Sequence, residues 1–65
     1  MIRVNEEPLQ WRPGMTVQDV LDAMGYDWSH VTVTVNDAFV PEEHWHDFGV
    51  PDEASVQAIH LFHGG

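Results

Sequence analysis

Sixty-five residues give room for one domain with one core, and the absence of cysteine excludes disulfide staples, thiolate catalysis and Cys-based zinc or iron–sulfur sites. Eleven acidic residues stand against two arginines, a formal charge of −9 that disfavours nucleic acid and favours a partner bearing a basic patch. On charge alone, simple solubility of a small domain explains the same balance equally well. The 43% apolar content, with three Trp and three Phe, suffices for a core and argues against disorder. No run is long enough to span a membrane, and Glu6 and Glu7 interrupt a signal-peptide reading, so a soluble cytoplasmic protein is expected.

Met1 to Asn5 alternates apolar and polar residues, with Ile2 and Val4 on one face of a half-buried strand. Glu6-Glu7-Pro8 reads as a break. Leu9 to Arg12 alternates again, so the first twelve residues predict a hairpin whose second arm carries Leu9 and Trp11 together. Pro13-Gly14 is a turn pair.

A helix follows. Thr16 is an N-cap, Asp19 completes an imperfect capping box, and Met15 and Val20 stand at the staple positions. Val17, Val20, Leu21 and Met24 form one apolar stripe, and Gly25 ends the helix in the left-handed conformation. Tyr26 to His30 predicts a loop with Trp28 packed over an edge of the core.

Val31 to Val35 is a β-branched strand with its three valines on one face. Asn36-Asp37 predicts a tight turn, and Ala38-Phe39-Val40 a short return strand stopped by Pro41. Pro41 to Trp45 reads as one helical turn with Pro41 at its first position, dropping Trp45 into the core. Asp47 to Ser55 is turn-rich.

The last strand, Val56 to Phe62, is apolar on both faces: Val56, Ala58, His60 and Phe62 on one, Gln57, Ile59 and Leu61 on the other. A sheet covered by one helical layer needs only one apolar face, so Ile59 and Leu61 are expected to form an exposed docking patch. The strand feeds Gly64-Gly65, which lack Cβ atoms and suit a tail that slides through a narrow channel. The five histidines and nearby carboxylates match no compact metal-site spacing, and no metal is expected. His60 and His63 are read as strand and tail residues within reach of a partner. No nucleophile–base pair and no phosphate-cradling glycine loop occurs.

The chain resembles the ThiS/MoaD sulfur-carrier family. The resemblance rests on Ile2-Arg3-Val4-Asn5, Gly14-Met15-Thr16-Val17, Val20-Leu21, Val33-Thr34-Val35-Asn36, Val40-Pro41 with Trp45, and Gly64-Gly65. The short length is closer to ThiS than to the longer MoaD proteins. Glu42 stands where the family often has a basic residue, and Asp52-Glu53-Ala54 where it often has an Asp-Gly-Asp turn.

The resemblance implies an α+β, ubiquitin-like β-grasp fold: a mixed sheet of about four to five strands on one main helix, with residues 63–65 as a flexible tail. It also implies that an E1-like adenylyltransferase of the ThiF/MoeB type uses Mg-ATP to adenylate Gly65. Sulfur then displaces AMP to leave a thiocarboxylate, which a thiazole synthase or another sulfur-accepting enzyme consumes. Gly64, His63, Phe62, Leu61 and Ile59 would be the partner-binding residues, and the carrier itself would hold no cofactor. Three other readings stay open: carriage of sulfur for molybdopterin, homocysteine or cysteine synthesis, attachment to proteins as a ubiquitin-like modifier, and an acidic binding module.

Overall fold

A computed structural model describes residues 1–25 and 31–60, and within them every element that the sequence predicts occurs. Strand β1 (Ile2–Val4) and β2 (Glu7–Leu9) form the first hairpin, and helix α1 spans Val17–Met24. Strand β3 (Val31–Val35) pairs with β4 (Ala38–Val40), a 3-10 turn covers Glu42–His44, and β5 spans Ser55–His60. The five strands form one mixed sheet in the order β2-β1-β5-β3-β4. Its last strand lies in the centre, parallel to β1 and antiparallel to β3.

The first hairpin is shorter than the alternation suggests. Asn5 and Glu6 both adopt left-handed φ, at 50° and 72°, so the chain reverses in two residues and Glu7 lies opposite Val4. Glu7-Pro8 is therefore strand, not a break, and Gln10 to Arg12 lies beyond β2. Pro8 is tolerated because β2 is an edge strand. Pro8 faces Arg3 one step from the turn-closing pair, where its missing N–H would point away from the ladder. Leu9 and Trp11 do pack together against the core, and the Trp11 indole Nε1 donates to the Val50 carbonyl at 2.6 Å.

Helix α1 is fixed at both ends by local chemistry. The Thr16 hydroxyl accepts from the Asp19 amide at 3.2 Å, and the Asp19 carboxylate accepts from the Thr16 amide at 3.0 Å. Aspartate thus completes the reciprocal box in which a longer acid is usual. Gly25 closes the helix at φ 73°, donating to the Leu21 and Asp22 carbonyls. Two further orphan donors at the start are met from afar: the Val17 amide donates to Phe48 O and the Gln18 amide to Trp45 O. The 3-10 turn and the segment after it are thereby docked on the helix start.

Pro41 precedes that turn as its cap, one residue earlier in the motif than expected, with φ −65° and extended ψ. An extended residue there lets the chain leave β4 before it coils. Trp45 is buried as expected, and its Nε1 donates to the Val40 carbonyl at 2.9 Å. The stripe Val17, Val20 and Leu21 meets Ile2, Val4, Val33 and Val56 from the sheet in one cluster. Each fully buried aliphatic side chain of this kind contributes about 1.5–3 kcal/mol.

The Asp52–Glu53 turn sets the entry to β5. Glu53 holds φ 65°, a left-handed conformation suited to glycine. It occupies the middle position of the turn for which the sulfur-carrier pattern favours Asp-Gly-Asp. The Met1 ammonium donates to Asp52 Oδ1 at 2.9 Å and to Glu53 Oε2 at 3.3 Å, all at the exposed surface. The Asp52 hydrogen bond holds the ammonium pKa above its ordinary value and the Asp52 carboxyl below its own.

Candidate functional site

Strand β5 carries the chain toward Gly65, and the two neighbours of β5 determine what surrounds that exit. Its alternation is resolved by burial: Val56 and Ala58 point into the core, while Ser55, Gln57 and Ile59 point out. The expected division of faces therefore holds as far as Ile59. Leu61, Phe62, His63, Gly64 and Gly65, like the loop that carries Trp28, lie outside the described residues.

Register places the outward residues in rows across the sheet. Ile59 faces Thr32 on β3, and Gln57 faces Thr34, which in turn faces Phe39 on β4. On the other side, Ser55 faces Arg3, and Arg3 faces Pro8. Ile59 is 54% exposed and Phe39 64% exposed, so the sheet presents two large apolar side chains flanking two threonines. Phe39 was not singled out by sequence. Its signal was the same alternation, since Ala38 and Val40 flank it, but its place beside the Ile59 surface depends on strand order.

This outer face has an electrostatic character unlike the rest of the molecule. None of its strand positions carries a carboxylate, and Arg3 is its one cation, in a chain of formal charge −9. Among the described residues, the acids lie instead on turns, on α1, on the 3-10 turn and at the edge position Glu7. A carboxylate-free, partly apolar sheet face in an otherwise acidic chain has the charge-depleted character of an interface centre.

Two asparagines hold β5, one near each end. Asn5 places its side chain along β5 past the end of β1: Nδ2 donates to the Ala58 carbonyl at 3.1 Å and Oδ1 accepts from the Ala58 amide at 2.9 Å. At the other end of β5, Asn36 accepts the Ser55 amide on Oδ1 at 2.9 Å, and its backbone amide donates to the Ser55 carbonyl at 2.8 Å. Both occupy the first left-handed position of a two-residue hairpin turn.

Other chemistry is sparse among the described residues. No group of three or more His, Asp or Glu side chains converges as a metal site. His44 Nδ1 lies 3.6 Å from Asp47 Oδ1, both exposed. No helix is long and apolar enough to cross a membrane.

Comparison with known proteins bears on this arrangement. The ThiS family model matches residues 2–65, nearly the whole chain. The chain belongs to the ThiS family of small sulfur-carrier proteins. The fold agrees: the crystal structure of the thiamine biosynthesis protein (ThiS) from Geobacter metallireducens superposes with a TM-score of 0.78. That likeness covers 98% of this chain and 97% of the other at 24% sequence identity, and the mixed five-strand sheet on one helix is the ubiquitin-like β-grasp. A search of curated proteins finds no match. The family match extends through Gly64-Gly65.

Proposed function

We propose that the protein is a cytoplasmic sulfur carrier for thiazole formation in thiamine biosynthesis, with the carboxyl group of Gly65 as its reactive end. The observation that carries the reading is the family match reaching the Gly-Gly pair, on a fold whose central strand is the last element described before it in the chain. A carboxylate is a poor electrophile, so the chemistry begins with activation by a partner. A carboxylate oxygen of Gly65 attacks the α-phosphorus of Mg-ATP on an E1-like adenylyltransferase, and pyrophosphate leaves. A sulfur nucleophile then attacks the acyl carbon, and AMP leaves with the bridging oxygen. The resulting thiocarboxylate is the nucleophile that a thiazole synthase consumes.

The carrier's own residues bind and present. Glycine at both final positions leaves no Cβ to obstruct a narrow channel. Ile59 and Phe39, with Leu61, Phe62 and His63 following in the chain, form the contact region, and Gly64 passes the channel mouth. Activation requires nucleotide only on the partner. The carrier supplies no catalytic side chain and holds no cofactor.

Incubation with the adenylyltransferase, Mg-ATP and a sulfur donor tests this directly. Intact mass spectrometry is expected to show the gain of one oxygen-for-sulfur exchange, localised to the peptide ending in Gly65. Covalent adducts on other proteins would identify a modifier instead, and no mass change with pyrophosphate release absent would refute the carrier reading.

A further inference from the structure

The exit of β5 is held by a side chain where a strand would ordinarily do the work. In the parallel ladder, the Arg3 amide bonds Ala54 O and the Asn5 amide bonds Val56 O, both at about the ideal length of a backbone hydrogen bond. The next step of that ladder would need another β1 residue opposite Ala58. The chain has none to give, because it turns back at Asn5-Glu6 with φ 50° and 72°. The Asn5 carboxamide supplies the missing peptide group: it offers one donor and one acceptor to the same residue, Ala58. An amide side chain is suited to this because its geometry copies a backbone peptide unit.

We propose that Asn5 is a positioning residue for the C-terminal segment: it extends the β1 side of the ladder by one peptide unit and so holds β5 from both flanks two residues nearer the reactive end. The proposal rests on the carrier reading above. Ala58 is buried, and its pairing on the other flank is with Val33 of β3. The Ala58 amide and carbonyl both point to the β1 side, where Asn5 meets them, while β3 pairs the strand through His60 on the other flank. Without Asn5, those two groups lose their partner and β5 beyond Val56 is held by β3 alone. A partner that must extend the tail to reach Gly65 then has to order additional residues, each at a cost in backbone entropy.

Asn36 provides the control, because its carboxamide oxygen accepts the Ser55 amide at the end of β5 remote from Gly65. Asn5→Gly and Asn36→Gly each remove one carboxamide at a position whose left-handed φ glycine accepts without strain. Both variants should lower the melting temperature, Asn5→Gly the more, because it gives up two side-chain hydrogen bonds to β5 and Asn36→Gly one. Amide hydrogen exchange at Ala58 to His60 should accelerate at least tenfold in Asn5→Gly and stay within about twofold in Asn36→Gly.

In the adenylation assay at saturating Mg-ATP, read by pyrophosphate release, Asn5→Gly should raise KM for the carrier about tenfold and leave kcat within about twofold, the signature of weakened uniform binding. Asn36→Gly should leave both unchanged. Equal exchange rates in the two variants, or accelerated exchange at Ala58 with KM unaltered, would overturn the proposal. Failure of the unsubstituted protein to be adenylated would refute the carrier reading, and the exchange comparison would then decide alone whether Asn5 fixes the end of β5.

Discussion

Replacing Ile59 by Asp separates docking from folding, because Ile59 stands on the outer face of the central strand and not in the core. With 54% of it exposed, roughly 100 Å² of apolar surface is available for a partner to cover, worth about 2.5 kcal/mol at about 25 cal/mol per Å². That is about sixtyfold in affinity, since each 1.4 kcal/mol is about tenfold. A carboxylate buried at the same place adds its own desolvation penalty, so Ile59→Asp should weaken binding to the adenylyltransferase at least about fiftyfold. Folding should suffer less. Exchanging a good strand former for a poor one costs about 1 kcal/mol, or roughly 4–8 °C in melting temperature for a domain of this size. Isothermal titration beside a thermal melt reads both quantities, and Phe39→Ser tests the other apolar side chain of the same face. Unchanged affinity in a folded Ile59→Asp protein would refute the assignment of this face, and a melt collapsed by much more than 10 °C would show that the side chain supports the fold instead.

Gly64→Leu should abolish adenylation while leaving the melting temperature within about 4 °C, since a substitution outside the core changes stability by less than about 0.5 kcal/mol. A sharp fall in the melt would make the glycines structural. Glu53→Gly should stabilise the protein by about 1 kcal/mol, because it relieves a left-handed φ and gives up only a surface contact to the Met1 ammonium. Urea unfolding monitored by Trp fluorescence measures it, and an unchanged midpoint would mean that the turn holds no strain.

How much of this was legible in the sequence depended on how far each signal reached along the chain. Helix α1 was legible at both ends because Thr16, Asp19 and Gly25 act within one turn of their own residues. Trp45 was legible because an aromatic after Pro41 and two acids has nowhere else to go. Strand β2 was misplaced because its turn uses Asn5-Glu6, and nothing about Glu6 announces a φ of 72°. Pro8 signals a break in any strand except an edge, and being an edge is a property of the whole sheet. The Asn5 and Asn36 clamps reach across 53 and 19 residues, beyond any local pattern. The same holds for Phe39, whose placement near Ile59 required β3 to lie between β4 and β5.

The charge distribution leads to a further expectation about rates. The outward strand positions carry no carboxylate, whereas the turns, α1 and the 3-10 turn carry the acids of the described residues. Affinity then comes mainly from covering Ile59 and Phe39, a short-range and salt-insensitive contribution. Long-range attraction comes from the acids, which act on a basic partner before contact and are screened beyond a Debye length of about 10 Å at 0.1 M salt. Raising ionic strength from about 0.02 to 0.5 M should therefore slow association with the adenylyltransferase by about tenfold or more. Dissociation should change by less than about threefold, because rim charges act chiefly on the on-rate. Ile59→Asp should do the reverse, raising the off-rate with little effect on the salt dependence of the on-rate. Stopped-flow association and dissociation measured across that range distinguish the two. Should salt act chiefly on dissociation, the acids lie inside the contact, and the division between an apolar centre and a charged rim is wrong.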